Sequence, residues 1–349
     1  MHTITTKRLR ASYTDAMRHE NAQTGALSTD QFSAEYPDRP HWAIGPFRRD
    51  DALTFRPTGQ WQDPTGIGWT SSSIINPTLI EREGRLHLYY RASPVKESLA
   101  SRVGHAVYTP ETGWVDDVAN PVVYPTLDNE LLGCEDPKVY SADGRYYLFT
   151  NGIWPLKGAS ELEQFPSPGW PLGEVGCDIN LHVSDDLRHW RRLGLVVPHD
   201  VSRLWAKGAV VPTDGHGEAV RFGEDYLMFL SEGCNGTPTI GRSSDMVHWR
   251  FEEQPYLDIS ALGHLHEVAC AVVVGDDLVL DFFYSDHEGR FAAGQARYDV
   301  ADPFTQRDVH LGGSLAWGGL IRWDGSWVFA QGWDAPPGER ELYLYRSIQ

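Results

Sequence analysis

The sequence predicts an all-β fold, a five-bladed β-propeller with an N-terminal extension, and two observations support this prediction. One is a hairpin signal that recurs five times: Gly or Asp-Gly at a tight turn, followed by β-forming residues. The five copies are EREGRLHLYYRAS from Glu81, SADGRYYLFTNG from Ser141, RFGEDYLMFLSEG from Arg221, VGDDLVLDFFYSD from Val274 and IRWDGSWVFAQGW from Ile321. The other is the near absence of helical periodicity after residue 60. Since one sheet cannot bury both of its faces alone, the copies are expected to pack around a common axis.

Each hairpin lies between two further apolar segments, which predicts a meander of three or four antiparallel strands for each blade. The preceding segments are SSIINPTLI, CEDPKVY, AKGAVVPT, HEVACAVVV and LAWGGLIRW, and the following ones are RVGHAVYT, DINLHVSDDLRHW, TIGRSSDMVHW, FAAGQARYDV and ELYLYRS. We therefore assign residues 61–349 to the propeller. Residues 1–60 are polar and lie outside the repeat, with a turn from Tyr36 to Pro40 and a short helix around Asp15 to Asn21. We expect this extension to pack on the propeller or on another subunit, so that a homo-oligomer could form.

Composition limits the partners and the compartment. The net charge of -18 argues against nucleic acid, which needs basic patches to meet phosphates, and against anionic membranes. The N-terminus lacks the apolar core of a signal peptide, and no apolar stretch approaches the ~18 residues of a membrane span, so a cytoplasmic protein is expected. The cysteines have no zinc-ligand spacing, and free buried thiols are expected. The 13 Trp and 15 Tyr can stack on sugar rings as well as fill a core.

Polar residues in the predicted innermost strands indicate a site on the propeller axis, because burying such groups costs roughly 1 to 3 kcal/mol each unless they are paired or used. The first strands contribute Asn76, Glu135, Asp136, Lys138, Lys207, His264, His266, Glu267 and Trp317, and the ends of the second strands contribute Arg91, Glu232, Asp286 and Asp334. The segment from Leu156 to Val175 is a long insertion, and such loops often rim a site.

Several carboxylates around a sugar-sized pocket suggest glycoside chemistry, in which one carboxylic acid protonates the leaving oxygen and a second activates water or attacks directly. The acid needs a raised pKa, which burial and neighbouring carboxylates provide. Glu135 and Asp136 are adjacent on a strand, so we expect only one of them to face the axis. His264 and His266 would share a face and could ligate zinc with Glu267 and Asp136, but a third well-spaced ligand is missing, and we expect no metal and no cofactor.

The segment GCEDPKVYSADGRYYLFTNG resembles glycoside hydrolase family 130, the mannoside phosphorylases and mannosidases, and the resemblance extends over roughly residues 70 to 345. IINPTLIEREGRLHLYYRAS resembles that family's first blade, HVSDDLRHWRRLG its Ser-x-Asp-x-x-x-Trp strand and VFAQGWD its last-blade strand. The resemblance implies a five-bladed propeller, with Asp136 as the general acid. It also implies that Asn76, Arg91 and Asp334 bind sugar.

The same resemblance bears on the choice between water and phosphate as the attacking group. Where the phosphorylases hold phosphate with two Arg, a Lys and a His, this chain has Lys207, Glu232, a residue near His264, and an aromatic, Phe283 or a neighbour. Lys138 stands where the family has an Arg after Asp-Pro. A carboxylate such as Glu232 repels a phosphate dianion and can instead polarise water. Glu232 and Glu267 resemble the two Glu of the β-1,2-mannosidase branch, which implies inverting hydrolysis of a β-mannoside with either or both holding the water.

Three alternatives stay open. A phosphorylase could bind its anion with Lys138, Lys207, His264 and His266. A hydrolase similar to families 43 or 32 needs a first-blade Asp, whereas that strand has Asn76, so Asp63 would have to substitute. The protein could also be a sugar-binding propeller without catalysis, which needs aromatic residues and hydrogen bonds but no set of carboxylates.

Overall fold

The computed structural model describes residues 3–17, 39–59, 61–96, 98–165, 174–314, 319–330, 332–336 and 339–348. It confirms the predicted fold, a five-bladed β-propeller of four-stranded antiparallel blades. Within the described residues no helix is both long and apolar enough to cross a membrane.

The blades follow one another along the chain. Blade one holds β2 (Ser73–Arg82), β3 (Arg85–Ser93), β4 (Arg102–Thr109) and β5 (Gly113–Asp116), and blade two holds β6 (Gly133–Ala142), β7 (Arg145–Pro155), β8 (Val175–Ser184) and β9 (Arg191–Leu195). Blade three holds the four-stranded sheet of β11 (Arg221–Phe222), β12 (Asp225–Leu230), β14 (Thr239–Ser243) and β15 (Arg250–Glu253). At its inner end, β10 (Ala206–Lys207) and β13 (Glu232–Gly233) form a separate two-stranded ladder. Blade four holds β16 (Gly263–Val274), β17 (Asp277–Asp286), β18 (Phe291–Asp299) and β19 (Asp308–Leu311). Blade five holds β20 (Leu320–Trp323), β21 (Ser326–Ala330), β22 (Leu344–Ser347) and, from the start of the chain, β1 (Phe47–Arg49).

The five predicted hairpins are confirmed, and their turns have the backbone that the sequence pattern requires. In blade two, Asp143 and Gly144 both have positive φ, at 51° and 77°, between the paired strands β6 and β7. Blade five repeats this with Asp324 and Gly325, at 49° and 75°. Successive residues with positive φ form the turn whose twist matches that of antiparallel strands, and glycine adopts it without steric cost.

The hydrophobic core is divided among the contacts between neighbouring blades. Tyr89 of blade one packs with Leu148 of blade two, and Phe229 of blade three packs with Leu280 of blade four. Equivalent buried clusters join blades two and three, four and five, and five and one. Each blade therefore buries both of its faces against its neighbours, as expected for a propeller.

Part of the segment that the sequence sets apart as an N-terminal extension is built into the propeller. Phe47–Arg49 pairs antiparallel with β22 and forms the outer strand of blade five, so the start and the end of the chain share one sheet. Before it lies helix α1 (Thr6–Met17), whose Ala16 is buried against Leu99 and Trp205. The first residues of the helix predicted around Asp15 to Asn21 coincide with the last residues of α1. The rest of that predicted helix falls in 18–38, outside the described residues.

The predicted insertion between blade-two strands joins β7 to β8. Its described part contains helix α2 (Glu161–Gln164), and its residues 166–173 lie outside the described residues. Helix α3 (His199–Ser202) follows blade two, and 3-10 turns cover Asp51–Leu53, Asp128–Glu130 and Cys234–Gly236.

Candidate active site on the propeller axis

Charged side chains from blades one to four meet at the propeller axis. This axial cluster comprises Arg91, Glu135, Asp136, Lys138, Lys207, Glu232 and Glu267. Asn76 of blade one connects it to blade five, because its Oδ1 accepts a hydrogen bond from Trp333 Nε1 and its Nδ2 donates to Asp136 Oδ1 at 2.6 Å. With Trp333, the residues of this site come from all five blades.

Bulges in the first strands of blades one and two aim Asn76 and Asp136 at each other. Each residue precedes a proline, and each has a left-handed backbone, with φ of 47° and 45°. The ladder slips between Ile75 and Thr78 and again between Glu135 and Lys138. Proline has no N–H to donate to the ladder, and Asn and Asp are the non-glycine residues that best tolerate this backbone. The Asn-Pro and Asp-Pro pairs in the sequence are therefore the local cause of both bulges.

The bulge in blade two overturns the expectation that only one of Glu135 and Asp136 faces the axis. Both carboxylates contact the same two cations, Arg91 and Lys207. Side chains alternate between faces only while a strand keeps its regular pleat, and the left-handed Asp136 interrupts it. Glu135 is thus an ion-pair partner inside the cluster.

The inner strands of blades three and four are also interrupted. In blade three, Gly208 has φ of 72°, and β10 ends just before it. In blade four, the ladder slips between Leu265 and Glu267. A Cβ on Gly208 would lie only 3.1 Å from Glu267 Oε1, so this glycine leaves room for the carboxyl group.

Arg91 is held rigidly by four groups. Its guanidinium lies 2.7 Å from Glu135 Oε1 and 3.3 Å from Asp136 Oδ1. It also donates to Ser101 Oγ at 2.8 Å and to the Ser98 carbonyl at 3.0 Å. Charge-assisted bonds of this kind fix both partners, so Arg91 orients the two carboxylates of blade two.

Lys207 joins blade three to the same carboxylates. Its Nζ lies 2.9 Å from Asp136 Oδ2 and 3.2 Å from Glu135 Oε2. Glu232 is its direct partner across the β10–β13 ladder and accepts a hydrogen bond from Trp205 Nε1 at 3.3 Å. Glu232 is therefore a buried carboxyl group beside the cation that Asp136 and Glu135 share.

The pKa of Asp136 lies well below its usual range. Burial by itself raises the pKa of this carboxyl group, but the charges of Lys207 and Arg91, with hydrogen bonds from Lys207 and Asn76, outweigh burial. Asp136 is consequently ionised at neutral pH in the free protein.

Glu267 has the opposite behaviour. Burial raises its pKa to about 8; the charge of Lys138 opposes this rise, whereas the charges of Glu232 and Asp136 add to it. Lys138 lies 3.6 Å from Glu267 Oε1, and its Nζ donates to the Ala269 carbonyl at 2.8 Å, so it reaches across the axis from blade two to blade four. Glu267 is thus a carboxyl group that keeps its proton near neutral pH, in electrostatic contact with both other candidate carboxyl groups.

The two histidines of blade four do not share a face, because the slip between Leu265 and Glu267 interrupts the alternation. His264 is exposed, whereas the ring of His266 packs 4.7 Å from Phe283 and 5.3 Å from Phe291. Burial lowers the pKa of His266. In the described ranges, no group of three or more His, Cys, Asp or Glu side chains is arranged to hold a metal ion.

Three predicted residues lie apart from the cluster or outside the described residues. Asp286 is in a surface turn, where it accepts hydrogen bonds from the backbone of Glu288 and Arg290 and from the Arg290 side chain. Trp317 falls in 315–318, outside the described residues. Asp334 follows Trp333, accepts a hydrogen bond from the Tyr345 hydroxyl and has its pKa raised by burial.

Asp63, the substitute base of the family 43 or 32 alternative, is bound within its own loop. Its carboxylate accepts from the backbone N–H groups of Thr65, Gly68 and Trp69. The inner strand of blade one presents Asn76 to the cluster instead, and an amide cannot serve as a base at neutral pH.

Sequence reasoning missed Trp333 and Trp205, which donate hydrogen bonds to Asn76 and Glu232. The sequence contains a signal that could have identified both, because each Trp lies close in the chain to a predicted site residue. Trp333 directly precedes Asp334, and Trp205 lies two residues before Lys207. Tryptophan with a buried indole N–H usually needs a polar partner.

Comparisons with known proteins support the resemblance. Residues 60–154 match the model of the Glyco_hydro_130 family, described as β-1,4-mannooligosaccharide phosphorylase. The resemblance to glycoside hydrolase family 130 is confirmed. A 1,2-β-oligomannan phosphorylase of Thermoanaerobacter is 30% identical over 90 residues, which are 24% of this chain. The chain spans only 30% of the length of that relative.

Solved structures of the family share the fold. One of them aligns at a TM-score of 0.64 and 17% identity, and the alignment covers 88% of this chain and 95% of the other. Its description says that the GH130 family of mannoside phosphorylases contains glycoside hydrolases that target β-1,2 mannosidic linkages in Candida mannan. The β-1,2-mannobiose phosphorylase from Listeria innocua aligns at 0.60 and 13%, covering 86% and 97%. These solved structures therefore share the propeller fold of this chain.

Proposed function

We propose that the protein is an inverting glycoside hydrolase that cleaves β-mannosides at the axial cluster. The observation that carries this proposal is the pairing of the cluster's cations with its own carboxylates. Arg91 and Lys207 each contact both Glu135 and Asp136, and Lys138 contacts Glu267. Inorganic phosphate as the attacking group would have to compete with these carboxylates for the same cations.

Glu232 strengthens the argument against phosphate. It is buried beside Lys207, where a phosphate dianion attracted to that cation would meet a second carboxylate. Two negative charges in a desolvated site repel strongly, whereas a neutral water molecule is held well by carboxylate oxygens. Water is therefore the attacking group that suits this arrangement of charges.

In the proposed reaction, water forms a bond to the anomeric carbon while the bond from that carbon to the leaving oxygen breaks. Glu232 accepts the proton that water loses, and a protonated carboxyl group delivers a proton to the leaving oxygen. Asn76 and Arg91 hold the carboxylates in place. Attack from the face opposite the leaving group inverts the configuration.

The protonation states favour Glu267 over Asp136 as the proton donor in the free protein. Glu267 keeps its proton near neutral pH, with a pKa of about 8, whereas the pKa of Asp136 is held low. Two carboxyl groups whose surroundings separate their pKa values in this way are suited to opposite roles. We therefore propose that ionised Asp136 accepts a hydrogen bond from a sugar hydroxyl, in place of the acid role that the family resemblance implies.

The first experiment measures product release from β-1,2- and β-1,4-mannobiose with and without phosphate, with product anomers followed by NMR. The proposal expects free mannose of inverted configuration at a rate indifferent to phosphate. Mannose 1-phosphate formed only in the presence of phosphate would overturn hydrolysis. That outcome would support the alternative, phosphorolysis, which the name of the Thermoanaerobacter relative favours.

The second experiment assigns the donor by comparing substrates with good and poor leaving groups. In Glu267→Gln, activity on mannobiose should fall by about 100-fold or more, because the leaving oxygen then receives no proton. Activity on a dinitrophenyl β-mannoside, whose leaving group needs no proton, should be largely kept. Glu232→Gln should lose both activities. If instead Asp136→Asn loses activity on mannobiose and keeps activity on the dinitrophenyl β-mannoside, Asp136 is the proton donor and the assignment to Glu267 is wrong.

A further inference from the structure

A cavity lies beside blade two, with a lining separate from the axial cluster. It has a volume of about 510 Å³, within the range of small-molecule sites, and its walls include Asn129, Trp154, Lys157, Ser160, Asp178 and His199. We call it the blade-two cavity. It shares no lining residue with the axial cluster, and the insertion between β7 and β8 supplies Lys157 and Ser160 to its wall.

Its floor is a buried polar network. Asp178 is only 2% exposed, accepts a hydrogen bond from Asn129 Nδ2 at 3.1 Å and lies 3.1 Å from His199 Nε2. The ring of His199 stacks on that of Trp154, with centroids 5.8 Å apart and planes at 22°. A buried carboxylate with an amide, an imidazole and an indole around it combines an apolar wall with directional hydrogen-bonding groups.

Two polar atoms of this wall have no hydrogen-bond partner among the described residues, although they are buried. They are Asn129 Oδ1, an acceptor, and Trp154 Nε1, a donor. Leaving such groups unpaired costs about 1 to 3 kcal/mol each, so two residues of this wall have hydrogen-bonding capacity that the described residues do not use. A hydroxyl group can pair with either atom, because it both donates and accepts.

Glycines build the cavity around these two residues. A Cβ on Gly176 would lie 2.5 Å from the Trp154 ring, and a Cβ on Gly152 would lie 2.3 Å from the Asn129 carbonyl oxygen. Only glycine allows the indole and the Asn129 backbone to come this close to the sheet. The positions of Trp154 and Asn129 are thus set by the packing of blade two.

The rim carries both signs of charge, which argues against a charged ligand. Arg8 and Lys157 line the cavity together with Asp128 and Glu161. A phosphate or carboxylate ligand would meet the buried Asp178 and these acids, and a cation would meet the two bases. A neutral ligand with several hydroxyl groups fits the lining best.

We propose that the blade-two cavity binds one pyranose unit of a carbohydrate, as a binding site separate from the axial cluster. That the sugar is a mannose unit rests on the proposed function.

The test is isothermal titration of mannose into the wild-type protein and into variants that fill the cavity from its rim. Ser160→Trp and Lys157→Trp each place an indole at the wall from an exposed position. Val118→Trp is the matched control, because Val118 is 93% exposed and does not line the blade-two cavity. Circular dichroism melts establish that each variant is folded.

We expect wild type and Val118→Trp to bind mannose at a site that is lost, or weakened at least about tenfold, in one or both filling variants. Equal affinity and stoichiometry in all four proteins, or no mannose binding beyond a site removed by Asp136→Asn, would overturn the proposal. If the filling variants lose mannose binding while the wild type has no mannosidase activity, the cavity is supported and the proposed function fails instead.

Discussion

Asp136 and Glu267 are both buried at the axis, yet their surroundings move their pKa values in opposite directions. Asp136 receives two cations and an amide at hydrogen-bonding distance, whereas Glu267 has one lysine at 3.6 Å and two carboxyl groups near it. The number of direct donors, not burial, separates the two. This difference between single residues determines which of them carries a proton at neutral pH.

The pH profile of kcat/KM tests this protonation directly. Glu267 keeps its proton below a pKa of about 8, so a donor role predicts that kcat/KM falls as pH rises through about 8. In Glu267→Gln the residual activity on a dinitrophenyl β-mannoside should lack this fall. An unchanged alkaline fall in that variant would mean that another group titrates.

Asp281, a buried carboxyl group of β17 outside the axial cluster, provides a stability test of a single residue. Burial raises its pKa to about 6, although Gln295 and the Ser314 backbone donate hydrogen bonds to it. Because its folded pKa exceeds its unfolded value, the folded state binds more protons between pH 4 and 6, and stability falls as pH rises through this window.

The difference in unfolding free energy between wild type and Asp281→Asn should therefore change by about 2 kcal/mol between pH 4 and 7, with wild type losing stability relative to the variant as pH rises. Urea unfolding at several pH values measures it. A difference that stays constant over this range would contradict the raised pKa.

Among the strands, the site is built from interruptions of regular structure. Asn76 and Asp136 have positive φ within β2 and β6, Gly208 has positive φ directly after β10, and the ladder of blade four slips beside Glu267. Bulges redirect side chains, and here they turn polar groups from separate blades toward one another.

Gly208→Ala tests whether such an interruption serves the site. The new Cβ would lie 3.1 Å from Glu267 Oε1, so we expect kcat/KM to fall about 10- to 100-fold in addition to a backbone cost of about 1 kcal/mol. Gly223→Ala is the control, because Gly223 has a similar φ of 68° but no atom within 4 Å of its Cβ position. The two variants should have similar unfolding free energies in urea melts, whereas steady-state kinetics should give a lower kcat/KM for Gly208→Ala alone.

The same interruptions explain what the sequence could and could not predict. The hairpins follow from local turn residues. Polar groups in the first strands and at the ends of the second strands predicted one shared site for Asn76, Asp136, Lys207, Glu232 and Glu267. Strict alternation failed for Glu135 and Asp136 and for His264 and His266, since a bulge changes which face a residue occupies and depends on partners in another strand. The prediction that Asp286 belongs to the site has a different outcome, because the side chain of Arg290 in the same surface turn donates a hydrogen bond to Asp286.

For the whole molecule, closure of the ring joins the two ends of the chain. β1 is only three residues long, so its sequence alone carries no strand signal, and its role follows from the unpaired edge of β22 that it covers. Phe47 is 1% exposed and packs edge-on against Phe329, with centroids 4.8 Å apart. Blade five is therefore completed by a segment from the opposite end of the chain.

Phe47→Ala should lower the unfolding free energy by about 3 to 5 kcal/mol, because it removes a buried ring and weakens the strand that closes the propeller. Arg48→Ala, on the same strand but exposed, should change it by less than about 1 kcal/mol. Urea unfolding of both variants measures the difference. Phe47 is the side chain of this strand that lies in the core between blades four and five. Equal effects of the two substitutions would therefore mean that β1 pairs with blade five but does not stabilise the closed propeller.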